Sequence, residues 1–254
     1  MKDAVVHAVE VAGYRHLDLA HAYGNEKEVG EAIKDLLDRK VVEREELFIT
    51  SKVFVHLCHP GLVIPRIEES LRDLKTEYLD LVLIHWPYFW SKDPSSFPPP
   101  KSERLGYSPE SYLAVWRDFE DAVARGLTRH IGCSNMTAKK LATLLEGGGE
   151  DAPLKVQPAV NQVERHPFLQ QPRLKAFCDK HRIILTGFCP LGSPDRPPRF
   201  INPGDPVPMA DPVIKAIASR LGRSPAQVLL RWAVQSGATA VPKSVTPSRI
   251  EENI

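Results

Sequence analysis

Four side chains in the first third of the chain are of types that can act together in proton transfer: Asp18, Tyr23, Lys52 and His85. A phenol has an ordinary pKa of about 10, too high for an efficient acid at neutral pH. An ammonium group beside the phenol favours the phenolate and lowers that pKa, and a carboxylate can hold the ammonium in place. A neutral imidazole can orient a ligand's oxygen atom by donating one N–H.

Such a group of side chains would protonate a carbonyl oxygen while another agent delivers hydride. Because no side chain delivers hydride, the chemistry requires a nicotinamide cofactor. Taken singly, each of the four residues could equally belong to a salt bridge at the rim of a sheet. Asp18 lies in an apolar run, where an unpaired carboxylate is costly, so we expect Lys52 and His85 to be its partners.

The elements that must position these residues alternate between amphipathic segments and short apolar runs. Apolar residues recur at helical spacing within Val5–Ala12, Ile64–Leu74 and Leu113–Val123. Strand-like runs occur at His16–Ala20, Leu47–Val53, Leu79–His85, His130–Ser134, Ala159–Val163, Ile183–Cys189 and Thr239–Pro242. The order is one helix followed by seven strand–helix pairs, which indicates a parallel sheet covered by helices.

Two architectures contain such a sheet. A doubly wound nucleotide-binding sheet would carry G-x-G-x-x-G after an early strand, and the chain has no such motif. The alternative is the eight-stranded (β/α) barrel, whose typical length of about 250 residues matches this chain. We therefore predict an α/β fold of the (β/α)8 TIM barrel type, formed as a single domain by residues 1–254, with the first strand absent.

Two proline-rich loops follow predicted strand ends, where a barrel keeps its active-site loops. Pro87–Pro109 contains six prolines and Pro190–Pro212 contains eight, which argues against helices hidden within them.

The composition excludes several classes of partner. Lys and Arg together number 33 and Asp and Glu 32, so no overall charge favours nucleic acid or a membrane surface. The four cysteines form no CxxC pair, which favours a reducing compartment. With no signal-peptide pattern and no apolar run of membrane-spanning length, we expect a cytoplasmic protein. The His56-Leu57-Cys58-His59 segment has no second ligand cluster at suitable spacing, so we predict no metal.

Seven segments of the chain resemble, in order, the signature segments of the aldo-keto reductase family, of the aldose and aldehyde reductase type. They are GYRHLDLAHAYGNE, FITSKV, DLVLIHWP, HIGCSN, VNQVERHP, CPLGS and VPKSVTPSRIEEN. The resemblance implies that the family's catalytic tetrad falls on Asp18, Tyr23, Lys52 and His85, with Tyr23 as the proton donor. It also implies that Trp86 lines the substrate pocket beside His85.

The same resemblance implies contacts to NADP(H). At the nicotinamide end, Ser134, Asn135 and Gln162 match residues that bind the carboxamide, Phe188 matches the aromatic ring that stacks on the nicotinamide, and Asp18 is also near the cofactor. The family more often has tyrosine at the position of Phe188, but a phenyl ring stacks equally well. The remaining matches are Leu191 and Ser193 at the pyrophosphate, Lys243, Ser244, Thr246 and Arg249 at the adenosine 2′-phosphate, and Glu252 and Asn253 at the adenine.

The phosphate contacts can also be argued from the residues themselves. Lys243 and Ser244 end the last predicted strand, Thr246 precedes a predicted helix, and Arg249 lies in its first turn. Two cations, two hydroxyls and the amides of a helix N-terminus form an anion site, although an ordinary capped helix with solvated charges would show the same residues. Since NAD(H) would leave both cations unused, NADP(H) is the expected cofactor.

Relative to the family, the chain begins after the first barrel strand and stops before the final helix and C-terminal loop. It could be an incomplete gene product, a natural short form or a chain completed by self-association. The family is usually monomeric, but two open strand edges lead us to expect lower stability than in longer relatives, association through the gap and looser substrate selection.

The expected activity is NADPH-dependent reduction of an aldehyde or ketone, a small-molecule carbonyl substrate, to the alcohol. The alternative is a cofactor-binding barrel with a regulatory or structural role.

Overall fold

The computed structural model of the chain describes residues 1–147, 153–193, 196, 201–202 and 204–254. Their contacts group into two compact units, Met1–Asn161 and Gln162–Ile254. Among the described residues, no helix has the length and apolarity that crossing a membrane requires.

The first unit alternates helices with parallel strands. The helices described in it are α1 (Lys2–Glu10), α2 (Glu26–Asp38), α3 (Val63–Leu74), α4 (Pro109–Ala124) and α5 (Ala138–Glu146). The strands described in it are β1 (His16–Asp18), β2 (Phe48–Val53), β3 (Leu79–Ile84), β4 (Phe89–Trp90), β5 (Arg104–Gly106) and β6 (Thr128–Ser134). Strand β7 (Val160–Glu164) begins in this unit and ends in the next.

The parallel sheet of the first unit follows the order β1, β2, β3, β6. Asp18 is in register with Thr50, and Lys52 is in register with Leu83. All six residues of β3 are buried, as expected for a strand covered on both faces. Leu81 and Leu83 form a core cluster with Val160, against which Ala159 packs.

The second unit continues the same alternation. Its described α-helices and strands, besides the end of β7, are α6 (Pro172–Lys180), β8 (Ile184–Phe188), α7 (Pro212–Leu221), α8 (Pro225–Gln235), β9 (Thr239–Val241) and α9 (Pro247–Glu252). Strands β8 and β9 are parallel, with Thr186 opposite Thr239 and their hydroxyls 2.7 Å apart. Helix α8 begins with a capping box between Ser224 and Gln227, and Pro225 is its first helical residue.

All seven predicted parallel strands are confirmed, with ends that differ by one or two residues. Within Pro87–Pro109 the structure adds a short antiparallel pair, β4 with β5, that the sequence analysis missed. Strands of two and three residues are too short to show an alternating pattern. Residues 194–195, 197–200 and 203 of the other proline-rich loop lie outside the described residues.

Helices α2 and α3 approach each other closely at Gly30. A Cβ atom at this position would lie 2.0 Å from the backbone oxygen of Asp73 and 2.9 Å from Cα of Leu74. The absence of a side chain at residue 30 is therefore a condition for this packing. Helix α2, which follows Tyr23 in the chain, packs directly against the end of α3 at this contact.

We expect Gly30→Ala to destabilise the protein by about 1–3 kcal/mol, because α2 must move away from α3 to admit the methyl group. Helix propensity alone predicts that the free energy of unfolding rises by roughly 1 kcal/mol instead. Urea unfolding followed by circular dichroism measures this free energy and so distinguishes destabilisation by packing from stabilisation by helix propensity. Lys27→Ala, at an exposed position of the same helix, is the control for propensity. A Gly30→Ala variant as stable as the parent would contradict the packing argument.

Candidate active site

The centre of the site is a buried ion pair. The side chain of Lys52 is buried, and its Nζ donates to Oδ2 of Asp18 at 2.6 Å and to the backbone oxygen of Leu19 at 2.8 Å. Burial lowers the pKa of Lys52, and the Asp18 carboxylate opposes that effect. The expectation that Asp18 pairs with Lys52 is confirmed.

Strand register explains why these side chains meet. Residues in register on neighbouring strands point to the same side of a sheet, and so do residues two apart on one strand. Asp18 is in register with Thr50, two residues before Lys52, and Lys52 is in register with Leu83, two residues before His85. Asp18, Lys52 and His85 therefore project from one face, at the carboxyl ends of β1, β2 and β3.

Tyr23 reaches the ion pair from the turn that follows β1. His21–Tyr23 form a 3-10 turn, and Gly24 takes the left-handed conformation with φ 66° before α2 begins. The Nζ of Lys52 lies 5.2 Å from the centroid of the Tyr23 ring. Tyr23 is 51% exposed, so a ligand can contact its ring from outside.

His85 stands beside the phenol with its ring nearly perpendicular to it. The ring centroids of Tyr23 and His85 are 6.0 Å apart and the planes meet at 88°. Burial, together with the neighbouring Lys52 cation, lowers the pKa of His85 to about 4, so the imidazole is neutral at physiological pH. Its Nδ1 is buried without a hydrogen-bond partner, which leaves Nε2 as the nitrogen able to bond a ligand.

Aromatic rings extend from the tetrad. The Trp86 ring stacks at 16° to that of His85, with centroids 6.4 Å apart. Phe54, which the sequence analysis did not single out, lies with its ring centroid 5.4 Å from that of His85 and 5.6 Å from that of Phe97. Phe54 comes two residues after Lys52, and this spacing could have predicted that both side chains lie on the same face of the sheet. Trp86 and Phe54 give the site apolar walls beside its polar centre.

Ser134 is the last residue of β6, and Asn135 follows it. Asn135 has φ 61°, and its Nδ2 donates to the backbone oxygen of His85 at 3.0 Å and to Oγ of Ser134 at 3.2 Å. Asn161, fully buried, bonds both backbone groups of Met136, at 3.0 Å and 3.3 Å. The sequence analysis missed Asn161, which here fixes the backbone next to Asn135.

In the second unit, four predicted cofactor residues lie on or after two strands. Gln162 is buried on β7, and Phe188, half-buried, ends β8. Leu191 and Ser193 lie in the turn that follows, where Cys189 and Ser193 have φ of 49° and 45°.

The predicted phosphate residues lie between β9 and the end of α9. Lys243 and Arg249 are exposed, and Arg249 makes no ion pair with any described residue. The amide of Thr246 donates to Oγ of Ser244 at 3.1 Å, and the amides of Arg249 and Ile250 donate to the carbonyl of Thr246. These local bonds use the amides of Thr246, Arg249 and Ile250 at the start of this six-residue helix.

The two predicted adenine residues lie at the end of the same helix. Glu252 is the last residue of α9, and its backbone oxygen accepts from Nε2 of Gln227 at 3.1 Å. Asn253 follows as the C-cap, with its amide donating to the carbonyl of Arg249 at 3.1 Å. Both side chains are partly accessible.

The chain is similar to known aldo/keto reductases. The model of the Aldo/keto reductase family matches residues 1–254. An aldo/keto reductase of Synechocystis sp. is 46% identical over 251 residues, which cover 99% of this chain and 74% of that protein. The aldo-keto reductase family 1 member A1 of Bos taurus is 46% identical over 255 residues, which cover 100% of this chain and 76% of that protein.

A solved structure supports the same assignment. The aldose reductase from Schistosoma japonicum superposes with a TM-score of 0.86 at 35% identity, covering 99% of this chain and 77% of that one. The predicted fold class, a (β/α)8 barrel, is thereby confirmed. The chain belongs to the aldo/keto reductase family, whose chemistry is oxidoreduction at carbonyl groups.

Proposed function

We propose that this protein reduces an aldehyde or ketone to the alcohol with NADPH as the hydride source and Tyr23 as the proton donor. The observation that carries the proposal is the contact of a buried Lys52–Asp18 ion pair with an accessible phenol. The relatives named aldose reductase and aldo-keto reductase support a carbonyl substrate of this class.

The chain's own residues handle the proton. When Tyr23 gives its proton to the substrate's oxygen, the phenolate left behind is stabilised by the Lys52 ammonium. Asp18 keeps that ammonium in place through a bond of 2.6 Å. Neutral His85 donates from Nε2 to the carbonyl oxygen and so orients it toward the phenol.

The residues present have suitable chemistry for a nicotinamide dinucleotide phosphate. For the nicotinamide, Ser134 offers a hydroxyl, Asn135 and Gln162 offer amides and Phe188 offers an aromatic ring, and Asp18 is a further proposed contact. The proposed contacts to the rest of the cofactor are Leu191, Ser193, Lys243, Ser244, Thr246, Arg249, Glu252 and Asn253. The absence of an ion pair at exposed Arg249 among the described residues fits a side chain that binds a phosphate. The bound cofactor would supply the hydride.

A regulatory or structural barrel that binds cofactor without turnover is the second candidate, and the tetrad geometry favours the enzyme. Steady-state oxidation of NADPH with a generic aromatic aldehyde separates the two.

We expect Tyr23→Phe to lower turnover by about 10² or more, because the proton donor is lost while the ring remains. Affinity for NADPH, measured by fluorescence titration, should change little. Lys52→Met should reduce turnover similarly, since the phenolate loses its cation. Tyr14→Phe removes a hydroxyl outside the tetrad and serves as the control. If Tyr23→Phe kept most of its activity, His85 would be the first alternative acid to test.

We expect His85 to remain uncharged until the pH falls to about 4, as its lowered pKa requires. The unfolded chain takes up this proton near an ordinary pKa of about 6.5, so His85 contributes stability above that pH and loses it as the pH falls towards its folded pKa. Urea unfolding against pH should therefore show a steeper acid loss for the parent than for His85→Asn. An imidazole NMR signal assigned to His85 that titrates near its ordinary value would contradict the assignment.

We expect NADPH to bind about tenfold to a hundredfold more tightly than NADH, from charge-assisted bonds to the 2′-phosphate. Arg249→Ala should reduce this preference and leave NADH affinity unchanged. Arg220→Ala, another exposed arginine of the second unit, is the matched control. Equal affinity of the parent for both cofactors, in a fluorescence titration, would exclude the proposed phosphate site.

A further inference from the structure

A second buried ionic cluster lies behind the tetrad, and the mechanism above does not use it. Glu26, the first residue of α2, is only 5% exposed. Its carboxylate accepts from Oγ of Ser51 at 2.6 Å, from Nη2 of Arg66 at 3.1 Å and from Oγ of Ser70 at 3.2 Å. Arg66 and Ser70 belong to α3, so the cluster joins α2, β2 and α3 at one point.

The cluster is linked to the tetrad at both of its ends. Glu26 comes three residues after Tyr23, directly behind the turn that carries the phenol. Ser51 comes immediately before Lys52 on β2, with its side chain on the opposite face of the strand. The bond between Glu26 and Ser51 thus ties the backbone that carries the proton donor to the backbone that carries its ammonium partner.

Stability alone does not account for such a cluster. Taking a carboxylate and a guanidinium out of water has a large desolvation cost, and well-packed apolar residues often stabilise a core as well or better. A charge-assisted bond such as that from Ser51 to Glu26, at 2.6 Å, instead allows only a narrow range of distances and directions, whereas apolar packing allows a wider one. Positions in an active site need that precision, since a displacement of about 1 Å can cost on the order of 10² in rate.

We propose that Glu26 is a positioning residue: by bonding Ser51, Arg66 and Ser70, its carboxylate holds the turn that carries Tyr23 at a set distance from Lys52. This inference rests on the proposed function for its effect on turnover. Its effect on the environment of Tyr23 does not depend on any activity.

Glu120 provides a matched control for burial and charge. It is also 5% exposed, and its carboxylate accepts from Nη1 of Arg117 at 2.8 Å and from the amides of Lys155 and Val156 at 2.6 Å and 3.1 Å. None of these partners is next in sequence to a tetrad residue. Replacing Glu120 therefore tests the loss of a buried carboxylate without a link to Tyr23 or Lys52.

The experiment compares Glu26→Ala, Glu26→Gln and Glu120→Ala in the full chain. We expect Glu26→Ala to lower kcat by about tenfold or more, with KM and NADPH affinity within about twofold of the parent. The phenol of Tyr23, followed by ¹³C NMR and assigned with Tyr23→Phe, should titrate at a higher pH than in the parent, because Lys52 is no longer held against it. Glu26→Gln keeps an acceptor for Ser51 and leaves Arg66 paired with Glu69, so it should recover most of both effects.

Glu120→Ala should lower the melting temperature and leave kcat and the Tyr23 titration unchanged. The proposal is wrong if Glu26→Ala behaves like Glu120→Ala. If Glu26→Ala does not fold, Ser51→Ala replaces it, and an unchanged kcat and phenol titration in that variant would overturn the proposal. A parent without carbonyl reductase activity would refute the proposed function, and the NMR titration would still decide the role of Glu26.

Discussion

A lysine ammonium held out of water beside a carboxylate is the interaction on which the site depends. Lys52 is buried, and its charge is balanced by Asp18 and by the backbone oxygen of Leu19. Such a charge is tolerated only where every partner is in place, so the strands that carry Lys52 and Asp18 must keep their register. A shift of one residue would turn Lys52 to the helix side of the sheet and separate it from the carboxylate.

The same ion pair sets the charge of its neighbours. His85 lies in a desolvated environment and also faces the Lys52 cation, and both conditions disfavour a second positive charge. A neutral imidazole and an ammonium consequently both lie near one phenol, the first able to orient an oxygen atom and the second able to stabilise a phenolate. Lys52 differs from His85 in that its charge is held by a direct bond to the Asp18 carboxylate.

Strand β2 serves two purposes through the alternation of its side chains. Lys52 points toward the phenol, while Ser51 points toward α2 and α3 and bonds Glu26. The face of β2 that carries Ser51 packs against α2 and α3, which approach each other closely at Gly30. In the proposal above, this packing helps to set the distance between Tyr23 and Lys52 on the other face. In the second unit, local hydrogen bonds at the start of α9 use the amides of Thr246, Arg249 and Ile250.

Much of this could be predicted from the sequence, because its signals are local. The seven parallel strands followed from short apolar runs between helical segments, and the pairing of Asp18 with Lys52 followed from the cost of a lone charge in an apolar run. The roles of the cofactor residues rest on resemblance and remain proposals. The pair β4 and β5 was not predictable, since two or three residues show no periodicity.

The positions of Glu26 and Asn161 were decided by tertiary structure alone. Nothing near Glu26 in sequence indicates that Ser51, Arg66 and Ser70 surround it, and these partners lie 25, 40 and 44 residues away. Sequence by itself determined which residue types were available and which elements carried them, because apolar spacing and charge cost act over short stretches of chain. Which polar groups met was determined by strand register and helix packing, because a buried hydrogen bond depends on distance in space and not on separation along the chain.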